Sequence, residues 1–177
     1  MQGPRGSPPQ AGRADLWTGS WPVETRSPRA AYGGSLDTMY EPVLTTQSQL
    51  EDAWRELMGP WSYSGHSVWM MLIVDDRPLP QLTEIAEAAD PPGAEELDGV
   101  ARLLAMLERE VAPGVRVAFL RSRPGRSTIT DTDRAWATGL YAAARRAAVP
   151  CEVVHLATRG SIRPIPADVV GIRQSSA

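Results

Sequence analysis

The sequence predicts an α/β (α+β) fold in which one mixed β-sheet of about five strands packs against three helices. Short apolar runs bounded by turn residues indicate the strands, and apolar residues at helical spacing indicate the helices. The two patterns follow each other in the order α-β-β-α-β-α-β-β, which is typical of a sheet with helices packed on it. The 177 residues provide enough material for one domain of about 100 to 150 residues and a tail.

Composition sets the predicted domain boundaries. Residues 1–40 are rich in Gly, Pro, Ser and Arg, which predicts a disordered tail because such a segment buries little apolar surface. Its aromatic residues leave open a short docking motif that orders on a partner. These residues are Trp17, Trp21 and Tyr32. We expect a single domain over residues 41–172 and a flexible C-terminus over residues 173–177.

The first half of the domain is predicted as a helix followed by two strands. A capping box from Ser48 to Glu51 starts a helix whose apolar face ends before Gly59-Pro60. Residues 68–74 are apolar on both faces, which indicates a central strand, and residues 79–85 form a second strand beside it. The helix face comprises Leu50, Trp54, Leu57 and Met58.

The second half is predicted as two helices and three strands. A surface loop over residues 87–96 precedes a helix that ends at Pro113-Gly114, and a strand from Val115 then leads into Arg121. Thr130 or Asp131 caps the third helix, and strands follow over residues 151–156 and 161–165. The buried faces of the two helices are Leu97, Val100, Leu104, Leu107 and Val111, then Trp136, Leu140, Ala143, Ala144 and Ala147.

Charge and cysteine content exclude some classes of protein. The 21 acidic and 18 basic residues are spread along the chain, which disfavours a non-specific nucleic-acid or membrane-surface role but leaves a local basic site open. All the basic residues are Arg, which fits the codon bias of a GC-rich genome. The single cysteine, Cys151, provides no disulfide, and we expect a buried apolar residue in a cytoplasmic protein. No secretory or membrane-spanning segment is expected.

The junction of the third strand and third helix carries the most specific motif. It reads Arg121-Ser122-Arg123-Pro124-Gly125, then Thr130-Asp131-Thr132-Asp133. With the element order, it resembles the JAB/MPN family of zinc metallopeptidase-like domains, and most closely its bacterial RadC-type branch. Members carry His-x-His-Pro after a strand, then Ser or Thr, two residues and Asp. The resemblance covers about residues 41–165 and implies a JAB/MPN-like fold with cytidine-deaminase-like layering.

The resemblance implies that the zinc ligands have been replaced. Arg121 and Arg123 stand at the two histidine positions, the family glutamate would fall near Ser67, and only Asp133 is retained. A guanidinium offers no lone pair to zinc, and its charge opposes a dication. We therefore expect no metal, no cofactor and no catalytic residue of the family type.

Two interpretations of the arginines remain open. Since they are two apart on a strand, Arg121 and Arg123 face the same side, where Asp133 can form an ion pair with one of them. Alternatively, they bind a small anion such as phosphate. The additional residues of that anion site would be Arg126, the hydroxyls of Ser127 and Thr128, and the helix start at Thr130.

His155 lies where the RadC-type branch has a histidine on the next strand, and we interpret it as a structural residue. The favoured function is a non-catalytic binding, scaffolding or regulatory module whose partner is an unknown protein or a second copy. A divergent metal-dependent hydrolase using Asp133 with His155, or with His66 as well, is the enzyme alternative. Anion, phosphate or nucleic-acid binding through Arg121, Arg123 and Arg126 is the third.

Overall fold

A computed structural model describes residues 23–26, 42–59, 63–168 and 171. Over these residues the chain forms one mixed sheet with three helices, which confirms the predicted fold class. The strands are β1 (Val23–Arg26), β2 (Ser67–Val74), β3 (Arg77–Ile85), β4 (Arg116–Ser122), β5 (Val154–Thr158) and β6 (Ser161–Ile165). The helices are α1 (Gln47–Met58), α2 (Ala94–Glu110) and α3 (Asp131–Arg146).

The sheet order is β1-β3-β2-β4-β5-β6. All neighbouring strands are antiparallel except β4 and β5, which are parallel and joined through α3. A parallel pair needs such a crossover because its connection must return to the starting edge. The mixed character of the sheet thus arises at the strand and helix that carry the Arg-Ser-Arg-Pro motif.

The helices lie on opposite faces of the sheet. α2 and α3 cover one face, where their apolar side chains pack with alternate residues of β4 and β5, including Phe119 and Leu156. α1 covers the other face, where its apolar side chains pack against sheet residues such as Met71 and Leu120. β2 lies between β3 and β4 and contributes buried residues to both layers, as its continuous apolar sequence predicts.

The turn between β2 and β3 explains the end of the apolar run. Asp75 and Asp76 both have positive φ, at 49° and 60°, which is the backbone of a two-residue hairpin turn. Aspartate tolerates this conformation better than most residues because its short side chain bonds locally to the backbone. A register shift between Met71 and Ile73 then accommodates the extra residues of β3.

Three local predictions from the sequence were wrong. The capping box of α1 is formed by Thr46 and Gln49, because the helix begins two residues before the predicted Ser48 box. Val111 lies beyond the last residue of α2 and is 60% exposed. The strand predicted to begin at Cys151 begins three residues later, and Cys151 forms an isolated bridge with Val117. This strand also runs to Thr158, the residue predicted to begin the turn.

Part of the predicted N-terminal tail is a strand. Val23–Arg26 pairs antiparallel with residues 82–85 of β3 at the edge of the sheet, so the prediction of disorder is wrong for these four residues. The rest of residues 1–40, with Trp17, Trp21 and Tyr32, lies outside the described residues, as does the C-terminus from residue 172. Among the described helices, none has the length and apolarity to span a bilayer.

Candidate functional site

The end of β4 and the start of α3 bring the motif together. Alternation along β4 places Phe119 and Arg121 on the face covered by α2 and α3. Arg123 follows the end of the strand, and its amide donates to Ala157 O of β5 at 3.1 Å, so its side chain stays on that face. Thr130 is the N-cap of α3, which places Asp133 in the first turn, directed at both arginines.

Asp133 binds both arginines. Arg121 Nε donates to Asp133 Oδ1 at 2.7 Å, and Arg123 donates to the same carboxylate from Nε at 3.0 and 3.1 Å and from Nη2 at 2.8 Å. The side chains are nearly removed from solvent, with relative exposures of 1% for Arg121, 8% for Arg123 and 0% for Asp133. The predicted ion pair is therefore confirmed, and it includes both arginines.

The same carboxylate also caps α3. Thr130 N donates to Asp133 Oδ2 at 2.8 Å, while Asp133 N donates to Thr130 Oγ1 at 3.2 Å, which completes a capping box. Each carboxylate oxygen thus accepts at least two hydrogen bonds from the protein. A metal at Asp133 would have to displace these donors as well as approach two guanidinium charges.

Arg123 pins the loop that connects β4 to α3. Its Nη1 donates to Pro124 O at 3.2 Å and Arg126 O at 3.0 Å, and its Nη2 donates to Thr128 O at 2.7 Å. With the bonds to Asp133, these contacts engage every nitrogen of the guanidinium, whose five N–H donors form a fixed fork. We call residues 124–128 the pinned loop. An anion would have to compete for donors of Arg123 that are already occupied.

Arg121 links the cluster to the connection between β3 and α2. Its Nη1 donates to Ala88 O at 2.7 Å, and its guanidinium carbon lies 5.8 Å from the centre of the Trp136 ring. Trp136 Nε1 in turn donates to Asp90 O at 2.7 Å. No sequence pattern indicates the contact with the Ala88 carbonyl, but Trp136 stands three residues after Asp133 and so shares its helix face.

The cluster contains two positive charges and one negative charge. Burial raises the pKa of Asp133, but hydrogen bonds from Arg123, Thr130 and Arg121 outweigh it and lower that pKa to about 2. Burial also lowers the pKa of Arg121, and Asp133 opposes that shift. Four backbone carbonyls offset the excess positive charge with the negative ends of their dipoles. The cluster is therefore a structural unit with its charges held in place.

The pinned loop displays the remaining predicted anion ligands. Arg126 is exposed and contributes its backbone carbonyl to Arg123. Ser127 is half-buried, and its carbonyl accepts from Arg163 Nη1 of β6 at 3.1 Å. Thr128 is exposed and also contributes its carbonyl to Arg123, while the Thr130 hydroxyl accepts the Asp133 amide. The structure thus uses the backbone of this loop internally and leaves its outer surface to solvent.

His155 does not belong to the cluster. It pairs in register with Leu120 of β4, so it faces α1 on the side of the sheet opposite Arg121 and Asp133. The prediction that placed His155 near those residues could not include its face, because strand spacing alone does not show which side of the sheet a residue takes. His66 is half-buried before β2, and within the described part of the chain no three His, Cys, Asp or Glu side chains are placed to hold a metal.

The position predicted for the family glutamate is also on the other face. Ser67 pairs with Ser122, the neighbour of Arg121, and its hydroxyl donates to Glu84 Oε1 at 2.7 Å. Because alternate residues of a strand face opposite sides, the Glu84 carboxylate and Asp133 are separated by the sheet. Cys151 is half-buried rather than fully buried, and burial raises the pKa of its thiol to about 12, which disfavours the reactive thiolate.

Comparison of the chain with family models, with curated proteins and with solved structures gives no match. The resemblance to the JAB/MPN family therefore rests on the residues of the motif and the order of the elements.

Proposed function

We propose that this chain is a metal-free JAB/MPN-like domain that acts as a binding or scaffolding module. The observation that carries the proposal is the saturation of Asp133, the one residue retained from the family zinc set. Its oxygens accept from Arg121, Arg123 and Thr130, all within the protein. A catalytic zinc site needs free donor atoms and an open position for water, and this arrangement supplies neither.

The surface that we assign to partner binding is the pinned loop. Arg123 holds three of its carbonyls from inside, and Arg163 holds the carbonyl of Ser127. A loop fixed in this way loses little conformational entropy when it binds, which favours affinity for a partner surface. Its outward residues are Pro124, Gly125, Arg126 and Thr128, all exposed.

The proposed partner is another protein or a second copy of the chain. Anion binding through Arg121 and Arg123 is less well supported, because their donors are directed at Asp133 and at backbone carbonyls. The enzyme alternative that combines Asp133 with His155 would require two side chains on opposite faces of the sheet to meet. A rigid loop over an ion cluster whose donors and acceptors are already paired favours binding of a protein partner over catalysis.

Site-specific photo-crosslinking tests the proposal. A photoreactive residue replaces Arg126 in the pinned loop of the full-length chain, and a control chain carries it at Arg109, an exposed position on α2. We expect a discrete adduct from position 126 in the native host, absent from position 109. The adduct should be lost on Arg123→Lys, because lysine has three donors and cannot hold the loop carbonyls in the same way.

Two results would contradict this function. Equal adduct patterns from positions 126 and 109 would show that the pinned loop is not a contact surface. Zinc-dependent hydrolysis of peptide bonds by the purified chain, lost on Asp133→Ala, would show an enzyme. An adduct with the mass of two copies of this chain would identify the partner as a second copy.

A further inference from the structure

A buried histidine beneath α1 is poorly satisfied in hydrogen bonding by the residues that the structure describes. His155 on β5 is 0% exposed, and neither ring nitrogen meets hydrogen-bond geometry with a partner among the described residues. Its Nε2 lies 3.8 Å from Glu51 Oε1 of α1, beyond hydrogen-bonding distance. Trp54 of α1 also buries its Nε1, which has no hydrogen-bond partner in the part of the chain that the structure describes. Burying a polar group without a hydrogen bond costs free energy, so these ring nitrogens weaken the packing of α1 on the sheet.

The charged groups around His155 come from α1. Glu51 is the nearest carboxylate, and its Oε2 accepts from Arg55 Nη2 at 3.2 Å. The residues in register with His155 on the neighbouring strands are Leu120 and Pro164, and neither carries charge. A protonated His155 would therefore share one carboxylate with an arginine and would have apolar neighbours on both sides.

We propose that His155 is a pH-responsive latch beneath α1, and that its protonation in mildly acidic solution releases α1 from the sheet. The neutral ring fits the apolar layer between α1 and the sheet. The imidazolium needs water or a full ion pair, and displacement of α1 exposes it to water. This device lies on the face of the sheet opposite the pinned loop, so it stands independently of the proposed function.

The direction of the pH effect follows from the environment of the ring. Burial lowers the pKa of His155 below its ordinary value of 6.5. The charge of Glu51 and the backbone at Val153 oppose this shift without overcoming it, and the charge of Arg55 adds to it. A group with a lowered pKa in the folded state contributes stability above its unfolded pKa. That stability is lost as pH falls through the folded pKa. Asp133 titrates near pH 2 and does not contribute in this range.

Hydrogen exchange on the full-length chain tests the latch. We expect the protection of α1 amides, corrected for intrinsic exchange, to fall between neutral pH and about pH 5 by about tenfold more than that of α3 amides. His155→Leu should abolish the difference because it removes the titrating ring. His66→Gln, at the other histidine of the chain, should leave it unchanged.

The proposal is overturned if α1 and α3 lose protection together in the wild type, or if His155→Leu retains the selective loss at α1. Ring resonances provide a second measurement, since the two histidines are assigned by the two variants. A His155 ring that titrates at its ordinary pKa while α1 stays protected would also overturn it. If His155→Leu does not fold, His155→Gln serves as the non-titrating variant.

Discussion

Asp133 is the residue on which the site depends. It caps α3, binds both arginines and is fully buried, so its charge is held by groups from the strand end, the loop and the helix. A buried ion cluster is weak support for overall stability, because desolvation offsets most of the attraction. Removing one member is different, since the remaining charges are then buried without compensation.

Asp133→Asn should destabilise the fold by about 3 to 5 kcal/mol, because it leaves two buried guanidinium groups without their carboxylate. Urea unfolding followed by circular dichroism measures the change. Asp131→Asn is the matched control, since Asp131 is also in the first turn of α3 but is exposed and, in the described part of the chain, pairs with Arg134 alone. The control should leave the unfolding midpoint unchanged. Equal midpoints for the two variants would contradict the role assigned to the cluster.

At the scale of elements, the cluster ties together segments that have few apolar side chains of their own. Arg123 orders the pinned loop between β4 and α3, and Arg121 fixes the connection before α2 through Ala88. A loop over polar residues such as these would otherwise lose order at little energetic cost. The arginines therefore position the two connections that follow the C-terminal ends of β3 and β4.

Arg123→Lys should destabilise the fold by about 2 kcal/mol and increase hydrogen exchange in the pinned loop. The ammonium cannot reproduce charge-assisted bonds to three carbonyls and a carboxylate. Urea unfolding and exchange at loop amides measure the two effects. Arg126→Lys is the control in the same loop, because its side chain is exposed, and it should change neither quantity. Unchanged loop exchange in Arg123→Lys would show that the loop is ordered by other contacts.

The start of α1 is a second test at this scale. Thr46→Ala should destabilise the fold by about 1 kcal/mol because its hydroxyl accepts the amide of Gln49. Ser48→Ala is the control, because Ser48 is the N-cap that sequence spacing predicts. In the structure Ser48 lies inside the helix and is exposed, so this variant should change stability little. Thermal unfolding of both variants measures the difference. A larger loss of stability for Ser48→Ala than for Thr46→Ala would contradict the observed helix start and support Ser48 as the N-cap.

At the scale of the whole molecule, periodicity predicted most elements but not their relative faces. The order of helices and strands from α1 to β6 follows from local patterns, and the convergence of Arg121, Arg123 and Asp133 follows from strand alternation and a helix start. The face of His155 depends on the register of β5 beside β4, which tertiary packing sets. β1 had no local signal, because its pairing with β3 is long-range.

The fold also divides between two layers the polar residues that were predicted to lie in one site. Asp133 of α3 and its arginines lie on the face of the sheet that α2 and α3 cover, whereas His155 lies under α1. The two layers share the strands β4 and β5 but no hydrogen bond among those described joins Asp133 to His155. The pinned loop, our proposed recognition surface, therefore lies on the side of the sheet opposite His155.

Zinc content tests the central claim that the arginines hold Asp133 in place of a metal. The wild-type chain and the Arg121→His/Arg123→His double variant are dialysed against zinc, freed of unbound metal and analysed for bound zinc, with circular dichroism to follow folding. We predict no stoichiometric zinc in the wild type, and zinc retention in the double variant that is lost when Asp133→Ala is added. Stoichiometric zinc in the wild-type chain, lost on Asp133→Ala, would contradict the account.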